Sequence, residues 1–153
     1  MSKNSDWDIP ATTFNFKKDL DYGHQGEALV KSFLNSLSDG AFEVKTDRYR
    51  NGRMAVEVEQ NAFRKTDEEG NQIWKPSGIN VTKAKWWVYV YTLDGESGAF
   101  ITVSVKRLKK YIRKNKKNLK MMDFARRSNN PAKGWIIEPE QVMDMMYNQA
   151  YDE

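Results

Sequence analysis

The sequence contains no cysteine and only one histidine, His24, among its 153 residues. The absence of cysteine excludes disulfide bridges, thiolate metal sites and cysteine nucleophiles. With a single histidine, the ligands of a structural zinc site are missing as well. A Ser-His-Asp triad would have to use His24, and no nucleophile-elbow motif accompanies it. We therefore expect any metal site in this chain to use oxygen ligands.

Long apolar runs, a signal-peptide pattern and phosphate-binding loops are also missing. The apolar runs fall well short of the roughly 18 residues that a membrane-spanning helix requires, and the N-terminus shows no leader pattern. No sequence of P-loop form occurs, so nucleotide hydrolysis has no support. A chain of 153 residues with 39% hydrophobic content suffices for one domain with a core. We therefore expect a cytoplasmic protein with no membrane contact.

Positive charge is concentrated in one part of the chain. The formal net charge is only +4, but nine of the fifteen residues over 106–120 are Lys or Arg and none is acidic. Such asymmetry is typical of proteins that bind polyanions. An ordinary solvated helix face has the same composition, so the run indicates nucleic-acid binding only if a matching chemistry occurs elsewhere.

Hydrophobic periodicity predicts one domain over 21–153 after a partly irregular lead-in over 1–20. The order helix, hairpin, strands, helix, strand, helix indicates an α/β or α+β fold around one mixed sheet. A long polar loop is expected over 61–79. The predicted helices cover 27–37, a segment from Val105, and 140–147, and the predicted strands cover Phe42–Asp47, Met54–Gln60, Trp86–Thr92, 99–103 and 135–137.

Glu27 stands at the start of an apolar helix stripe. On a helix it shares one face with Val30, Leu34 and Leu37. A buried, unpaired carboxylate is costly, so this position predicts a cation nearby. The alternative is a solvated glutamate in the first helical turn, where it interacts favourably with the helix dipole.

Glu57 and Glu59 alternate with valines, so a strand places both carboxylates on one face. Like charges side by side repel each other, and a divalent cation would remove the conflict. The alternative is an ordinary solvent-exposed hairpin face. A three-residue loop over 51–53 would bring Asp47 opposite Glu57, whereas a two-residue turn would point Asp47 away. We therefore predict a hairpin with an odd-length loop or a bulge.

These residues together resemble the signature of the PD-(D/E)xK nuclease superfamily, in particular its small phage-type endonucleases and resolvases. Gly23-x-x-Gly26-Glu27 opens a helix, Asp47 ends a strand, and Glu57-x-Glu59 follows on the next strand. The similarity covers about 22–91, with a looser match over 134–139. The resemblance implies a restriction-endonuclease-like core, in which a mixed central β-sheet of four to five strands is flanked by helices.

The resemblance also implies a Mg²⁺ or Mn²⁺ site formed by Glu27, Asp47, Glu57 and Glu59. The sequence departs from the pattern at Glu59, where the family usually has a catalytic lysine. Lysines at the entry to the next strand would then supply the positive charge. The candidates are Lys75, Lys83 and Lys85, with Lys83 favoured slightly over Lys85.

In a nuclease, the basic run would hold the DNA backbone through phosphate contacts that position the DNA without reading its sequence. Two functions stay open: a metal-dependent endonuclease acting on branched or recombination DNA of a phage in the host cytoplasm, and an inactive DNA-binding protein that retains the nuclease fold. A homodimer is common among junction-cutting relatives. The predicted DNA contacts are Lys106, Arg107, Lys109, Lys110, Arg113, Lys114, Lys116, Lys117 and Lys120.

If Asp47 is a metal ligand, Mg²⁺ or Mn²⁺ will raise the melting temperature of the wild-type protein and leave that of Asp47→Ala unchanged. A ligand that binds only the native state stabilises it, by about 2.7 kcal/mol at one hundred times the dissociation constant. Thermal unfolding with EDTA and with each metal measures the effect. An equal shift in both proteins would show that the metal binds elsewhere.

Overall fold

Alternating apolar and polar residues predict strands at Phe42–Asp47, Met54–Gln60 and Trp86–Thr92, and the computed structural model forms all three with these bounds. The structure describes residues 16–36, 39, 41–47, 49–92 and 98–152. Most of the predicted lead-in, the last residue of the predicted first helix and all but the last residue of a turn predicted over 93–98 lie outside these ranges. Contacts divide the chain into two units, Met1–Asp39 and Gly40–Glu153.

Helix α1 (Phe16–Ser36) is the element described in the first unit. It begins well before residue 27 and runs through both glycines of the predicted helix start. Val30 and Leu34, predicted to be buried beside Glu27, are 56% and 53% exposed, and Glu27 is exposed. The prediction of a buried stripe is wrong, because the described residues of this unit contain no second element against which one helix could bury it.

The strands of the second unit form two sheets, where the sequence predicts one mixed sheet. The strands are β1 (Phe42–Asp47), β2 (Met54–Gln60), β3 (Lys75–Pro76), β4 (Trp86–Thr92), β5 (Gly98–Ser104), β6 (Lys120–Phe124) and β7 (Ala132–Ile137). In the first sheet, β4 lies between β1, to which it is parallel, and β5, to which it is antiparallel. The second sheet has the order β3-β2-β7-β6 and is antiparallel throughout. The fold is therefore mixed α+β.

Strands β1 and β2 do not form the predicted hairpin. β1 places Asp47 opposite Tyr91 of β4, while β2 places Glu57 opposite Gly134 of β7. The connection turns at Gly52, whose φ of 78° is in the left-handed region. The hairpin prediction is wrong because alternation shows which side chains face the core and leaves open which strand lies alongside.

One core within the second unit receives side chains from both sheets and from two helices. The helices are α2 (Val105–Asn115) and α3 (Pro139–Tyr147). Full burial of a large apolar side chain contributes about 1.5–3 kcal/mol, so these contacts dominate the stability of the unit. The largest buried apolar side chains are Trp87, Tyr111, Met54, Leu108, Ile137, Met145, Val56 and Val103.

Both helices of the second unit begin where the sequence predicts. Ser104 caps α2, because its hydroxyl oxygen accepts a hydrogen bond from the backbone N–H of Arg107 at 3.1 Å. Pro139 occupies the first turn of α3, and Glu138 forms a capping box with Gln141. No helix within the described ranges is long and apolar enough to cross a membrane.

Two short strands lie where the sequence predicts none. β3 falls within the predicted loop over 61–79 and pairs with Glu59 and Gln60, the last two residues of β2. β6 follows the basic run directly and forms the other edge of this sheet. Its first four residues are exposed, so burial imposes no alternation from which the strand could be predicted.

Replacing Gly134 by alanine is expected to lower the free energy of unfolding by about 1–3 kcal/mol, the range for overpacking a core. An added Cβ would lie 2.3 Å from the carbonyl oxygen of Val56 and 2.5 Å from the ring of Phe124. Urea unfolding measures the change.

The control is Gly23→Ala in α1, where an added Cβ has nothing within 4 Å. This variant is expected to be neutral or slightly stabilised, because alanine favours helix. A Gly134→Ala protein as stable as the wild type would show that β2 and β7 leave room for a methyl group at this position.

Candidate functional site

Asp47 ends β1 with both carboxylate oxygens engaged. Its Oδ2 accepts a hydrogen bond from the hydroxyl of Tyr89 at 2.9 Å, and its Oδ1 accepts one from the backbone N–H of Tyr49 at 2.6 Å. A carboxylate offers about four acceptor positions, so each oxygen retains capacity for a further partner. The side chain is half-buried.

The hydroxyl of Tyr89 connects the two sheets. Besides donating to Asp47, it accepts a hydrogen bond from the backbone N–H of Ala55 in β2 at 3.1 Å. Burial, followed by the hydrogen bond and the negative charge of Asp47, raises the pKa of Tyr89. Burial and the same carboxylate raise the pKa of Tyr91 to about 12. Both phenols are therefore neutral near pH 7.

Glu57 lies on β2, two residues beyond Ala55. Its backbone is covered by Gly78, at which an added Cβ would lie 2.2 Å from the carbonyl oxygen of Glu57. Gly78 has a φ of 50°, so glycine is required here by both space and backbone conformation. The segment predicted as a loop over the site therefore packs directly on the strand that bears Glu57.

Glu59 lies in different surroundings from Glu57. The register between β2 and β7 shifts between these two residues, and Glu59 lies opposite Lys133. The ammonium of Lys133 is 4.0 Å from the centre of the Trp74 ring. The alternation within β2 continues through the shift, because Val58 is buried while Glu57 and Glu59 are both half-buried.

The four predicted metal ligands are distributed over three elements. Asp47 belongs to the first sheet, Glu57 and Glu59 belong to the second, and Glu27 belongs to the other unit. Within the described ranges, no group of three or more Asp, Glu or His side chains is arranged to hold a metal ion. What the structure does bring together is Asp47 and β2, through the shared contact with Tyr89.

Glu43 and Lys45 share the strand face of Asp47 and were not predicted as site residues. The ammonium of Lys45 is 2.6 Å from Oε1 of Glu43 and 5.5 Å from the centre of the Trp87 ring. Burial alone would raise the pKa of Glu43, but hydrogen bonds from Lys45 and Thr82 and the charge of Lys45 lower it overall. The alternation Glu-x-Lys-x-Asp in β1 was the signal that could have identified these residues.

Lys83 and Lys85, the predicted substitutes for the missing lysine, are both exposed. They lie between the turn at Gly78–Asn80 and β4. Lys45, by contrast, is half-buried and already ion-paired. Of the three, Lys45 is the cation that the strand geometry places on the face of Asp47.

Three predicted DNA contacts instead bind the C-terminal segment. Arg107 donates hydrogen bonds to the carbonyl oxygens of Met145 and Asn148 and pairs with Asp152. Lys110 contacts the carbonyl of Asp152, and Lys114 that of Ala150. Backbone carbonyls and one carboxylate thus already bind the charged groups of these residues, and their contact with DNA phosphates stays a prediction. The three are Arg107, Lys110 and Lys114.

Three other basic residues line a groove of about 540 Å³ between α2 and the second sheet. Lys109 and Arg113 lie on α2, and Lys116 on the turn after it; all three are exposed. The groove is lined in addition by Val58, Glu59, Ile79, Asn80, Ile112, Met121 and Trp135. The remaining predicted contacts, also exposed, are Lys106, Lys117 and Lys120.

No protein-family model, curated protein or solved structure matches this chain. The function must therefore be inferred from the residues and contacts themselves. Two features carry that inference: the contact that joins Asp47 to β2 through Tyr89, and the groove beside α2.

Replacing Tyr89 by phenylalanine is expected to lower the free energy of unfolding by about 1–3 kcal/mol, because two part-buried groups lose their hydrogen-bond partner. Tyr91→Phe is the matched control. It removes one longer hydrogen bond, 3.3 Å to the carbonyl oxygen of Gly52, and its effect is expected to be smaller. Chemical unfolding of both variants measures the difference, and equal losses would contradict a special role for Tyr89.

Proposed function

We propose that this chain is a metal-dependent DNA endonuclease with its reaction centre between β1 and β2. The observation that carries the proposal is the Tyr89 hydroxyl, which bonds both Asp47 and the backbone of Ala55. Glu57 lies two residues along the same strand, a rise of about 6.8 Å. Asp47 and Glu57 thus lie on strands of different sheets that the Tyr89 hydroxyl links.

This donor set fits a hydrated Mg²⁺ or Mn²⁺ ion. Mg²⁺ keeps several waters and is commonly bound through only one or two carboxylates together with substrate phosphates. Asp47 and Glu57 would supply these ligands, so a group of three protein carboxylates is not required. The bound metal would neutralise the attacked phosphate and activate a water molecule.

The chain's own residues would position the reacting groups. Tyr89 holds the Asp47 carboxylate in one orientation through its hydroxyl. Lys45, held by Glu43, would supply the positive charge for which Lys83 and Lys85 were predicted. The exposed basic residues Lys106 and Lys120 would contact phosphates of the DNA backbone.

In this proposal, the sheet β1-β4-β5 and strand β2 correspond to the restriction-endonuclease-like core that the sequence resemblance implies. The substrate would be branched or recombination DNA of a phage, cleaved in the host cytoplasm, with a homodimer as the implied assembly. Glu27 remains a predicted ligand.

A second candidate is an inactive DNA-binding protein with the same fold. Glu59 stands at the position where the family usually has a lysine, and the described residues contain no group of three metal-binding side chains. Both observations favour binding without turnover. Under this alternative, the basic residues retain their function and the carboxylates contribute only to folding.

Nicking of supercoiled plasmid and cleavage of a four-way junction, each with Mg²⁺ or Mn²⁺, separate the two candidates. The endonuclease proposal predicts metal-dependent cleavage that falls by at least about 100-fold in Asp47→Asn and Glu57→Gln, because a metal ligand is lost. Asp123→Asn, an exposed residue of β6, is the control and should retain activity.

Lys45→Met should also reduce cleavage by about 100-fold if Lys45 stabilises charge in the transition state, whereas Lys83→Met should not. The reverse result would return the role to Lys83. If neither plasmid nor junction is cleaved while salt-sensitive DNA binding persists, the inactive DNA-binding protein is the correct function.

A further inference from the structure

The groove beside α2 has one wall formed by positive charge. Lys109, Arg113 and Lys116 recur at intervals of four and three residues, so they follow one side of the helix and its continuation. Seven residues of helix span about 10 Å. A row of three cations over this length matches a chain of anions better than it matches a single one.

The floor of the groove is apolar and partly open to solvent. Val58, Ile79 and Ile112 are buried beneath it, while Met121 is 43% exposed and Trp135 is half-buried. Proteins that bind single strands combine a basic groove with aromatic and apolar surfaces on which bases stack. A duplex keeps its bases stacked inside and offers this floor nothing to contact.

The polar residues on the β2 side of the groove indicate how a bound nucleic-acid strand would be oriented. Glu59 and Asn80 line the groove there, and the amide of Asn80 donates to the carbonyl oxygen of Val58 at 3.1 Å. A carboxylate repels phosphate but accepts hydrogen bonds from the N–H groups of bases, including the ring N–H of thymine. Phosphates are therefore expected along α2, and bases toward β2 and Trp135.

We propose that this groove binds single-stranded nucleic acid, with the phosphates on Lys109, Arg113 and Lys116 and the unstacked bases on the floor. The proposal deepens the nuclease function and rests on it for the class of ligand. It assigns to the groove the unpaired strand of a substrate, which branched DNA contains and a plain duplex lacks.

Binding of a fluorescein-labelled 15-nucleotide dT strand, measured by anisotropy in EDTA, tests the groove. We expect the strand to bind at least about tenfold more tightly than a hairpin duplex of equal charge, since stacking adds about 1–3 kcal/mol per base.

Two pairs of neighbouring residues provide matched controls. Lys116 and Lys117 are both exposed in the same turn, but of the two only Lys116 lines the groove. We therefore expect Lys116→Glu to weaken single-strand binding about tenfold more than Lys117→Glu does. Met121 and Met122, 43% and 36% exposed on β6, form the second pair, and Met121→Glu should weaken binding where Met122→Glu does not. Circular dichroism confirms that each variant folds.

Equal losses within both pairs would overturn the proposal, because they would indicate diffuse electrostatic attraction instead of a groove. Tighter binding of the duplex would overturn it too. Because EDTA removes the metal, the result is independent of cleavage. If the variants within each pair bind equally well but the protein still cleaves DNA, only the proposal of single-strand binding in the groove is refuted. If the expected differences in binding are found but no DNA is cleaved, only the proposed endonuclease activity is refuted.

Discussion

One phenolic hydroxyl links the parts of this structure on which the proposed chemistry depends. Tyr89 donates to Asp47 and accepts from Ala55, so it uses its single proton and one lone pair in opposite directions. Since the two groups belong to different sheets, their relative position depends on this contact as well as on the packing of the core. Without it, Asp47 would be an ordinary carboxylate at the end of a strand.

The basic residues of helix α2 fall into two sets, one that binds the C-terminal segment and one that lines the groove. Arg107, Lys110 and Lys114 bind carbonyls and a carboxylate of the C-terminal segment, while Lys109 and Arg113 face the groove with Lys116. The bonds of Arg107 to the carbonyl oxygens of Met145 and Asn148 are part-buried and stabilise the fold most, because solvent screens the exposed contacts of the two lysines. The second set is available for a ligand.

The sequence predicted the bounds of the strands more successfully than it predicted which strands pair with each other. β1, β2 and β4 have the predicted bounds because burial on one face imposes alternation on each strand separately. Their pairing depends on contacts between distant residues, which alternation does not contain, and the predicted hairpin was therefore wrong. The stripe beside Glu27 failed for a related reason, since an amphipathic helix does not identify what covers it.

Composition was equally limited for the site. Nine basic residues among fifteen predict a positive surface, but they cannot show which cations already have partners in the fold, as Arg107 does. Lys45 was missed because a lysine on a strand is ordinarily assigned to the solvent side. Only the pairing of β1 with β4 places it beside Trp87 on the face of Asp47.

The attachment of the C-terminal segment to α2 affects how truncated forms should be interpreted. Residues 148–152 mask part of the positive surface, because their carbonyls and the Asp152 carboxylate bind three cations. A chain shortened after Tyr147 would free Lys110 and Lys114 from these contacts and leave Arg107 with its hydrogen bond to the carbonyl oxygen of Met145. Stronger retention on heparin or DNA resins by such a fragment would thus reflect unmasked charge, and it would not locate the nucleic-acid site.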